Sequence, residues 1–567
     1  MITRIPILLG FGQGLLLLLL HEAIRQHWPV LSAPEFAYPA YAIVLLTPVA
    51  GLLSFRFGKM RELVWALAGL GGLLILLGFY AGHIAYETIT RSSFGSLFAF
   101  GATMLVMTYI ALPFLQSRLR QGQFSWPYSD LYEFGWLNTL VIIVACAFTG
   151  LVWILLSLWA ALFAVLDIRF FSSLFFDRYF IYPATGVMFS YGLSLGLQRF
   201  NVGIVQKVDF LFRAVMVLVA LIVVLFLFAL LVSGVKPLWD TGKATFLLLW
   251  LQLFVVLFIN GIFQRGDSER EGILVRWSMT LPMLVLPILA GICAWALYLR
   301  VDQYGWTVDR VWAVLIIVVM PMYAVGYAVA AARNLIKRTH DFAWVAPANI
   351  ATALSILLLI VLVNSPLLSP VRVAANSQVA RLLEGKVAAA HFDYNYLRFN
   401  LGRVGLEKLE SLKAIEAHPE RELIRQQAGQ ALLKENRWSK AQVKDVVDVA
   451  KLFEVYPAGR ELDGALTELL RNEQKNWPYS ACFSNADCLI LFADMNGDGV
   501  EDAVMASNWS LTLLARKDGK WEIAGRLEGK GNRAKFRELI RKDGVRVVKS
   551  PWKALKSGDD IWHVVPN

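Results

Sequence analysis

The sequence predicts an α-helical polytopic membrane protein with about 11 transmembrane helices, a helical extension and a small C-terminal β-rich soluble domain. Three observations carry this. The 567 residues are 57% hydrophobic and only 17% charged, with mean hydropathy +0.55, where soluble domains carry about a quarter charged residues. Runs such as 210–235 and 311–332 are apolar all round, which suits helices that satisfy their own backbone in hydrocarbon. After Pro370 the composition turns charged, so the last third of the chain belongs in water.

Windows of about 20 residues place the spans near 5–24, 37–55, 63–82, 95–115, 137–160, 180–197, 210–235, 244–263, 274–298, 311–332 and 345–366. The first follows Met1-Ile-Thr-Arg4 in the manner of a signal peptide. His21-Glu22-Ala23 stands where a small-x-small cleavage site would be, so the run reads as an uncleaved helix. Pro183, Pro282, Pro287 and Pro321 predict kinks that neighbouring helices tolerate.

Lys and Arg crowd the even-numbered loops, as at Arg56, Lys59 and Arg61 or Arg333, Lys337 and Arg338, and thin out in odd ones, as at Arg25 and Arg91. This bias places the N-terminus and the even loops in the cytoplasm. An odd number of spans then puts everything after residue 367 in the periplasm of a Gram-negative cell. The formal charge of +11 reads as that asymmetry beside the lipid bilayer, not as a nucleic-acid surface.

Three segments follow: a transmembrane helical domain over 1–366, a helical juxtamembrane extension over 367–475, and a β-rich periplasmic domain over 476–567. In the last, 489–493, 503–507 and 510–516 alternate as short strands, and Asp518-Gly519 turns into a fourth at 521–525. Cys146 and Cys293 fall in spans as small packing residues. Cys482 and Cys488 fall in the external domain, where an oxidising compartment favours a disulfide between them.

The sharpest local motif is Asp494-Met-Asn496-Gly-Asp498-Gly499-Val500-Glu-Asp502. Alternating oxygen-bearing side chains on a tight turn converge on one point, and a hard cation wants such a cage. Asp494, Asn496, Asp498 and Asp502 would offer side-chain oxygens and Val500 its carbonyl, holding a structural Ca2+ ion. Gly499 would supply the positive φ of the turn. An EF-hand places a bidentate Glu at the twelfth position, where Met505 stands here. The loop instead resembles the calcium loops of FG-GAP repeats, in single copy.

Ionisable residues in spans are functional candidates. His21 and Glu22 end the first span, and His83 and Glu87 lie one turn apart at the end of the third; all four share the external side as a candidate polar cluster. Asn260, Gln264 and Asn349 read as interhelical hydrogen-bonding groups. The aromatic run 126–136 reads as an interfacial belt. No phosphate-binding loop, dinucleotide fingerprint, zinc motif or nucleophile elbow is present in the sequence.

The juxtamembrane stretch Ala374-Ala-Asn376-Ser-Gln378-Val-Ala-Arg381, followed by Phe392-Asp393-Tyr394-Asn-Tyr-Leu397-Arg398-Phe399 and Gly402-Arg403-Val-Gly405, carries a resemblance. It resembles the bacterial inner-membrane family catalogued as domain of unknown function 4153, over roughly residues 1–410. The resemblance implies an inner-membrane location and supplies no catalytic residue. Phe392, Leu397 and Phe399 are expected to seat a helix on the membrane domain, with Asp393, Arg398 and Arg403 as an ion-pair network beside it. The functional expectation is a non-enzymatic envelope protein for sensing or assembly, with an envelope protein as partner. The alternatives are a transporter or channel, needing a polar cavity near Pro183, Pro282 and Pro287, and a transferase on lipid-linked substrates, needing Asp167, Asp177, Asp302 and Asp309 to converge.

Overall fold

A computed structural model describes residues 4–85, 94–200, 209–241, 244–263, 272–337, 342–434, 437, 453–457, 459–476, 488–506, 511–517, 519–527, 555–557 and 560–562. The chain divides into two compact units, residues 1–425 and 426–567. The first contains α1 (Arg4–Arg25), α2 (Pro34–Ser54), α3 (Met60–Ile84), α4 (Phe94–Gln121), α5 (Tyr128–Ala164), the short α6 (Phe170–Phe175) and α7 (Arg178–Arg199). It continues with α8 (Asp209–Ser233), the short α9 (Lys236–Asp240), α10 (Ala244–Phe263), α11 (Ile273–Tyr304), α12 (Val308–Lys337) and α13 (Val345–Val363). Among the described residues, 11 helices are long and apolar enough to cross a membrane: all of these except α6 and α9.

Some spans outrun their expected windows, and in α5 the added first turns carry polar residues that find partners inside the protein. The 37-residue α5 starts directly after Pro127 and carries Asp130 and Glu133 in its buried first turns. The 32-residue α11 runs unbroken through Pro282 and Pro287, and both α7 and α12 continue through a proline.

Two groups of helices share the bundle. Helices α2–α5 and α7 enclose cores that include Leu53, Leu112, Val141 and Leu193, and Tyr38, Leu74 and Met104, and α1 packs on α7 and α2 beside them. Helices α8 and α10–α12 enclose another, with Leu248, Val255, Met279, Met283 and Tyr327. Helix α13 packs against both α12 and α4, and its Ile360 enters the first group's core.

Apolar side chains gain little from meeting each other in lipid, so close backbone approach becomes the means of association. Gly10 and Gly14 of α1, one turn apart, lie against Tyr182, Pro183 and Gly186 of α7 so closely that a Cβ at any of the three glycines would strike backbone. The same spacing recurs in Gly78 and Gly82 of α3 against Pro34 and Pro39 of α2, and in Gly192 and Gly196 of α7 against Ala145 and Val141 of α5.

The extension forms α14 (Pro370–Leu383), α15 (Tyr394–Asn400) and α16 (Gly402–Lys413), with α17 (Arg421–Leu433) crossing the division between the units. Helix α14 caps the hairpin between α11 and α12. The Trp306 amide donates to Ser377 Oγ (3.1 Å), Gln378 Nε2 donates to the Trp306 carbonyl (2.7 Å), and Arg381 Nη2 donates to the Gln303 carbonyl (3.0 Å). Arg381 thereby serves one of the carbonyls left open at the C-terminus of α11, where a cation also suits the helix dipole. Tyr396 Oη accepts the Val308 amide (3.0 Å). At the other edge Arg403 Nη2 pairs with Glu35 Oε1 of α2 (2.5 Å). Of the residues expected to seat the extension, Leu397 is fully buried and Phe392 nearly so. Asp393 caps α15 by accepting the Tyr396 amide (2.9 Å), and the Arg398 guanidinium lies over the Phe399 ring.

The second unit contains α18 (Gly464–Asn476) and the strands β1 (Phe453–Tyr456), β2 (Cys488–Ala493), β3 (Asp502–Ala506), β4 (Leu511–Lys517) and β5 (Lys520–Leu527), with a separate pair β6 (Leu555–Ser557) and β7 (Asp560–Trp562). The five strands form one sheet in the order β1-β2-β3-β4-β5, parallel between β1 and β2 and antiparallel thereafter. Alternation sends Ile490 and Phe492 of β2 to one face, against Leu466 and Leu470 of α18, and Leu489 and Leu491 to the other, with Val504. The strands expected over 489–525 are present. Strand β1 arises within a segment expected to be helical, because its pairing with β2 is non-local and leaves no local period. The expected boundary at 476 falls between α18 and β2, inside this unit.

Asp463 ties α18 to the sheet. It accepts the Leu466 amide (2.6 Å), the Trp521 indole N–H (3.0 Å) and Arg516 Nη2 (2.7 Å). Burial pushes the carboxyl up, but the Leu466 amide, the Trp521 indole and the Arg516 guanidinium together hold it below its ordinary value. A depressed folded-state pKa stabilises above the unfolded value of about 3.9 and is lost as pH falls through the lowered one. Asp463→Ala is expected to cost about 1–2 kcal/mol, mostly from the lost helix cap since the ion pair is half exposed. Thermal melts at pH 7 and pH 3 check this: the difference between the proteins should shrink in acid.

Candidate functional site

The loop proposed for a cation is the connection between antiparallel β2 and β3, with Ala493 and Asp502 directly paired across its base. Gly497 (φ 79°) and Gly499 (φ 83°) both take the left-handed conformation, so two glycines make the turn where one was expected. The oxygen-bearing side chains turn inward to serve the loop's own amides. Asp494 accepts from Gly497 (2.6 Å) and Gly499 (3.0 Å), Asn496 from Asp498 (2.9 Å), Asp498 from Val500 (2.7 Å) and Asp502 from Met495 (3.1 Å). Asn496 Nδ2 also donates to Asp498 Oδ2 (2.7 Å). Asp502 is buried, while 496–501 are exposed. Among the described residues, no group of three or more His, Cys, Asp or Glu side chains is arranged to hold a metal. The geometry is that of a self-supporting turn whose carboxylates keep spare lone pairs.

Cys488 is buried at the first position of β2, and Cys482 lies outside the described residues. Cys293 is a buried free thiol of α11, as expected, whereas the free Cys146 faces outward on α5.

The polar residues at the ends of α1 and α3 fall into two ion-pair groups. Glu22 is buried and pairs with Arg178 Nε of α7 (2.6 Å) and Arg25 (3.4 Å), and it accepts from Gln26 (3.1 Å). His21 lies beside the Tyr182 ring. His83 stands with Glu35 (3.7 Å) and Arg403 Nη1 (3.3 Å) instead. Glu87 lies outside the described residues. Each carboxylate thus has a guanidinium of its own, on α7 for Glu22 and on the extension for Glu35. Glu22 and His83 belong to separate groups, the first with Arg178 and Arg25 and the second with Glu35 and Arg403.

At the opposite ends of the spans four side chains from four helices close a ring. Tyr327 Oη donates to Asn349 Oδ1 (2.6 Å), and Asn349 Nδ2 donates to Tyr128 Oη (2.8 Å) and Asn260 Oδ1 (2.5 Å). Asn260 Nδ2 donates to Tyr327 Oη (2.8 Å), and Tyr128 Oη donates to Asn260 Oδ1 (3.2 Å). Tyr327 is fully buried. Tyr128 belongs to α5 and the other three to α10, α12 and α13, so the ring joins the two helix groups. Asn260 and Asn349 act as the interhelical groups the sequence suggested, and Gln264 lies outside the described residues. The aromatic run differs from a simple belt: Tyr128 and Phe134 turn inward, and Asp130 is buried, accepting from Gln121 (2.8 Å) and pairing with Arg120 (3.4 Å). Nearby, Gln116 and Asn138 exchange amide hydrogen bonds (3.0 and 2.9 Å).

Pro183, Pro282 and Pro287 lie in continuous helices, with Pro183 backed onto Gly14. Asp177 is an N-cap, accepting the Tyr179 amide (2.8 Å), and Asp309 opens α12.

The fold and these polar groups define a multi-pass α-helical membrane protein with a separate mixed-sheet unit. Residues 30–412, more than half of the chain, match the family described as a domain of unknown function (DUF4153), and the chain belongs to that family. The match takes in the extension through α15 and nearly all of α16, and it ends before the sheet unit. No curated protein and no solved structure matches the chain.

Proposed function

We propose that this DUF4153 protein is a non-enzymatic component of a bacterial inner membrane, a bundle that displays an external domain for sensing or assembly with an envelope protein partner. One observation carries the reading. The extension is bonded to the bundle at Glu35, His83, Gln303, Trp306 and Val308, and all of these sit at span ends on one face, opposite the start of α1. A rigid mount at that face is what a displaying protein needs. The Lys and Arg bias makes that face periplasmic and the N-terminus cytoplasmic. Alkaline phosphatase fused after Leu433 is expected to be active, and the same fusion after Lys337 inactive. The reverse pattern would sink the proposal.

The mount itself is testable. Arg403→Glu sets a carboxylate against Glu35 and is expected to cost about 3 kcal/mol or more, because two like charges replace a largely buried pair. Faster protease release of the C-terminal segment from intact membranes reads this loss, and Glu35→Arg in the same chain should restore protection.

The loop over Asp494, Asn496, Asp498, Val500 and Asp502 is proposed to bind Ca2+ as a stiffener of the β2–β3 connection. Its support is the inward-turned oxygen set and the resemblance to FG-GAP loops. Saturating Ca2+ is expected to raise the melting temperature of the sheet unit in the detergent-purified chain, by about 2–3 kcal/mol of stability at a hundredfold excess over Kd, and Asp498→Ala to erase the rise. The Cys482–Cys488 pair is proposed to be oxidised, with maleimide labelling of these residues appearing only after reduction.

A further inference from the structure

The seam between the two helix groups carries an open groove of about 370 Å³ between α4, α12 and α13. Its walls are apolar apart from Thr103, and include Ala102, Trp312, Met320 and Val363. From Trp312 to Met320 it runs along α12 for about 12 Å, roughly the depth of most of one leaflet's hydrocarbon. Thr103 and Trp312 lie near the starts of their helices and Val363 ends its own, so the groove occupies the leaflet on the extension's side. Its shape and apolar walls suit an acyl chain.

The rim above it carries groups that suit a phosphate. The Leu368 amide bonds back to the Leu362 carbonyl (3.2 Å), which holds the start of α14 directly over the end of α13. Pro370 opens α14, and the first-turn amides of Val371 and Arg372 have no helical acceptor. Ser369, the N-cap, makes no capping bond; its hydroxyl is buried and has no partner. Arg372 is exposed with its guanidinium over the Tyr80 ring, and no carboxylate among the described residues pairs with it. An N-terminal turn, an idle buried hydroxyl and an unneutralised arginine are the groups from which an anion site is built.

We propose that this seam binds one anionic glycerophospholipid, with a chain in the α4/α12/α13 groove and its phosphate at Ser369 and Arg372. The lipid would fill the junction between the helix groups on the face where the extension docks. Native mass spectrometry of the intact detergent-purified chain, titrated with phosphatidylglycerol or phosphatidylcholine, tests this. One phosphatidylglycerol is expected to bind at least tenfold more tightly than phosphatidylcholine. Arg372→Glu, at an exposed position that leaves the packing intact, should abolish that preference. Ala102→Trp, which fills the groove, should cut occupancy about tenfold, while Leu358→Trp on the lipid-exposed side of α13 should leave it unchanged. Equal binding of the two lipids, or equal loss from the two tryptophan variants, overturns the proposal.

Discussion

Gly186→Leu is expected to leave no folded protein. A Cβ at Gly186 would strike the carbonyl oxygen of Gly10, and a Cβ at Gly10 would strike that of Gly186, so the two backbones are already in contact. Overpacking elsewhere costs about 1–3 kcal/mol because a neighbouring side chain can move aside. Here the obstacle is main chain on both sides, and α1 would have to leave α7, breaking the Glu22–Arg178 pair as it went. The expected loss exceeds about 4 kcal/mol, a large part of a typical protein's stability. Gly150→Leu on α5, where nothing lies within 4 Å of the added Cβ, is the matched control. Size-exclusion profiles of fluorescent-protein fusions read the outcome: aggregate for the first variant, a single sharp peak for the second. Matching profiles would refute the crossing.

Asn349→Leu is the second large effect. The substitution removes three hydrogen bonds at once, two donated by Asn349 Nδ2 and one accepted from Tyr327. Hydrogen bonds between membrane helices are worth about 0.6 kcal/mol on average and up to about 1.7. A buried donor left without an acceptor adds about 1–3, and the Tyr327 O–H would be left so, keeping only the bond its oxygen accepts from Asn260. The expected sum is about 3 kcal/mol, read as a lowered unfolding midpoint in a denaturing-detergent titration. Because the ring acts as a unit, Asn260→Leu with Asn349→Leu should cost less than the two single changes added together. Strict additivity would mean the four residues do not form one network.

The polar residues divide sharply in how far they were legible beforehand. Asn260 and Asn349 announce a bonding role, because an amide in hydrocarbon must find a partner. Their partners Tyr128 and Tyr327 do not, since tyrosine is equally at home at an interface. His21, Glu22, His83 and Glu87 looked like one cluster because depth along a span is written in its residue count. Position around the bundle is not, and it is azimuth that assigned Glu22 to Arg178 and His83 to Glu35 and Arg403. Glu35 itself, two residues into α2, carried no signal as the acceptor for the extension. The Gly-x-x-x-Gly spacing of Gly10 and Gly14 was visible and marks a crossing face, but nothing local names α7 as the helix it meets. Strand β1 escaped for the related reason that a parallel pairing across some 30 residues leaves no turn signature.

What the sequence by itself determined is which stretches live in lipid, how many there are, where the charged tail begins, and that the loop from Asp494 to Asp502 turns on glycine. These are consequences of solvent preference and backbone freedom, which act residue by residue. The tertiary structure alone decided which helices touch: that α1 lies on α7, that Tyr128 closes a ring with three distant helices, and that the extension rests on α2, α3 and the α11–α12 turn. Helix pairing in a membrane follows from shape and a few buried hydrogen bonds between residues far apart in the chain, and that information exists only once the chain has folded.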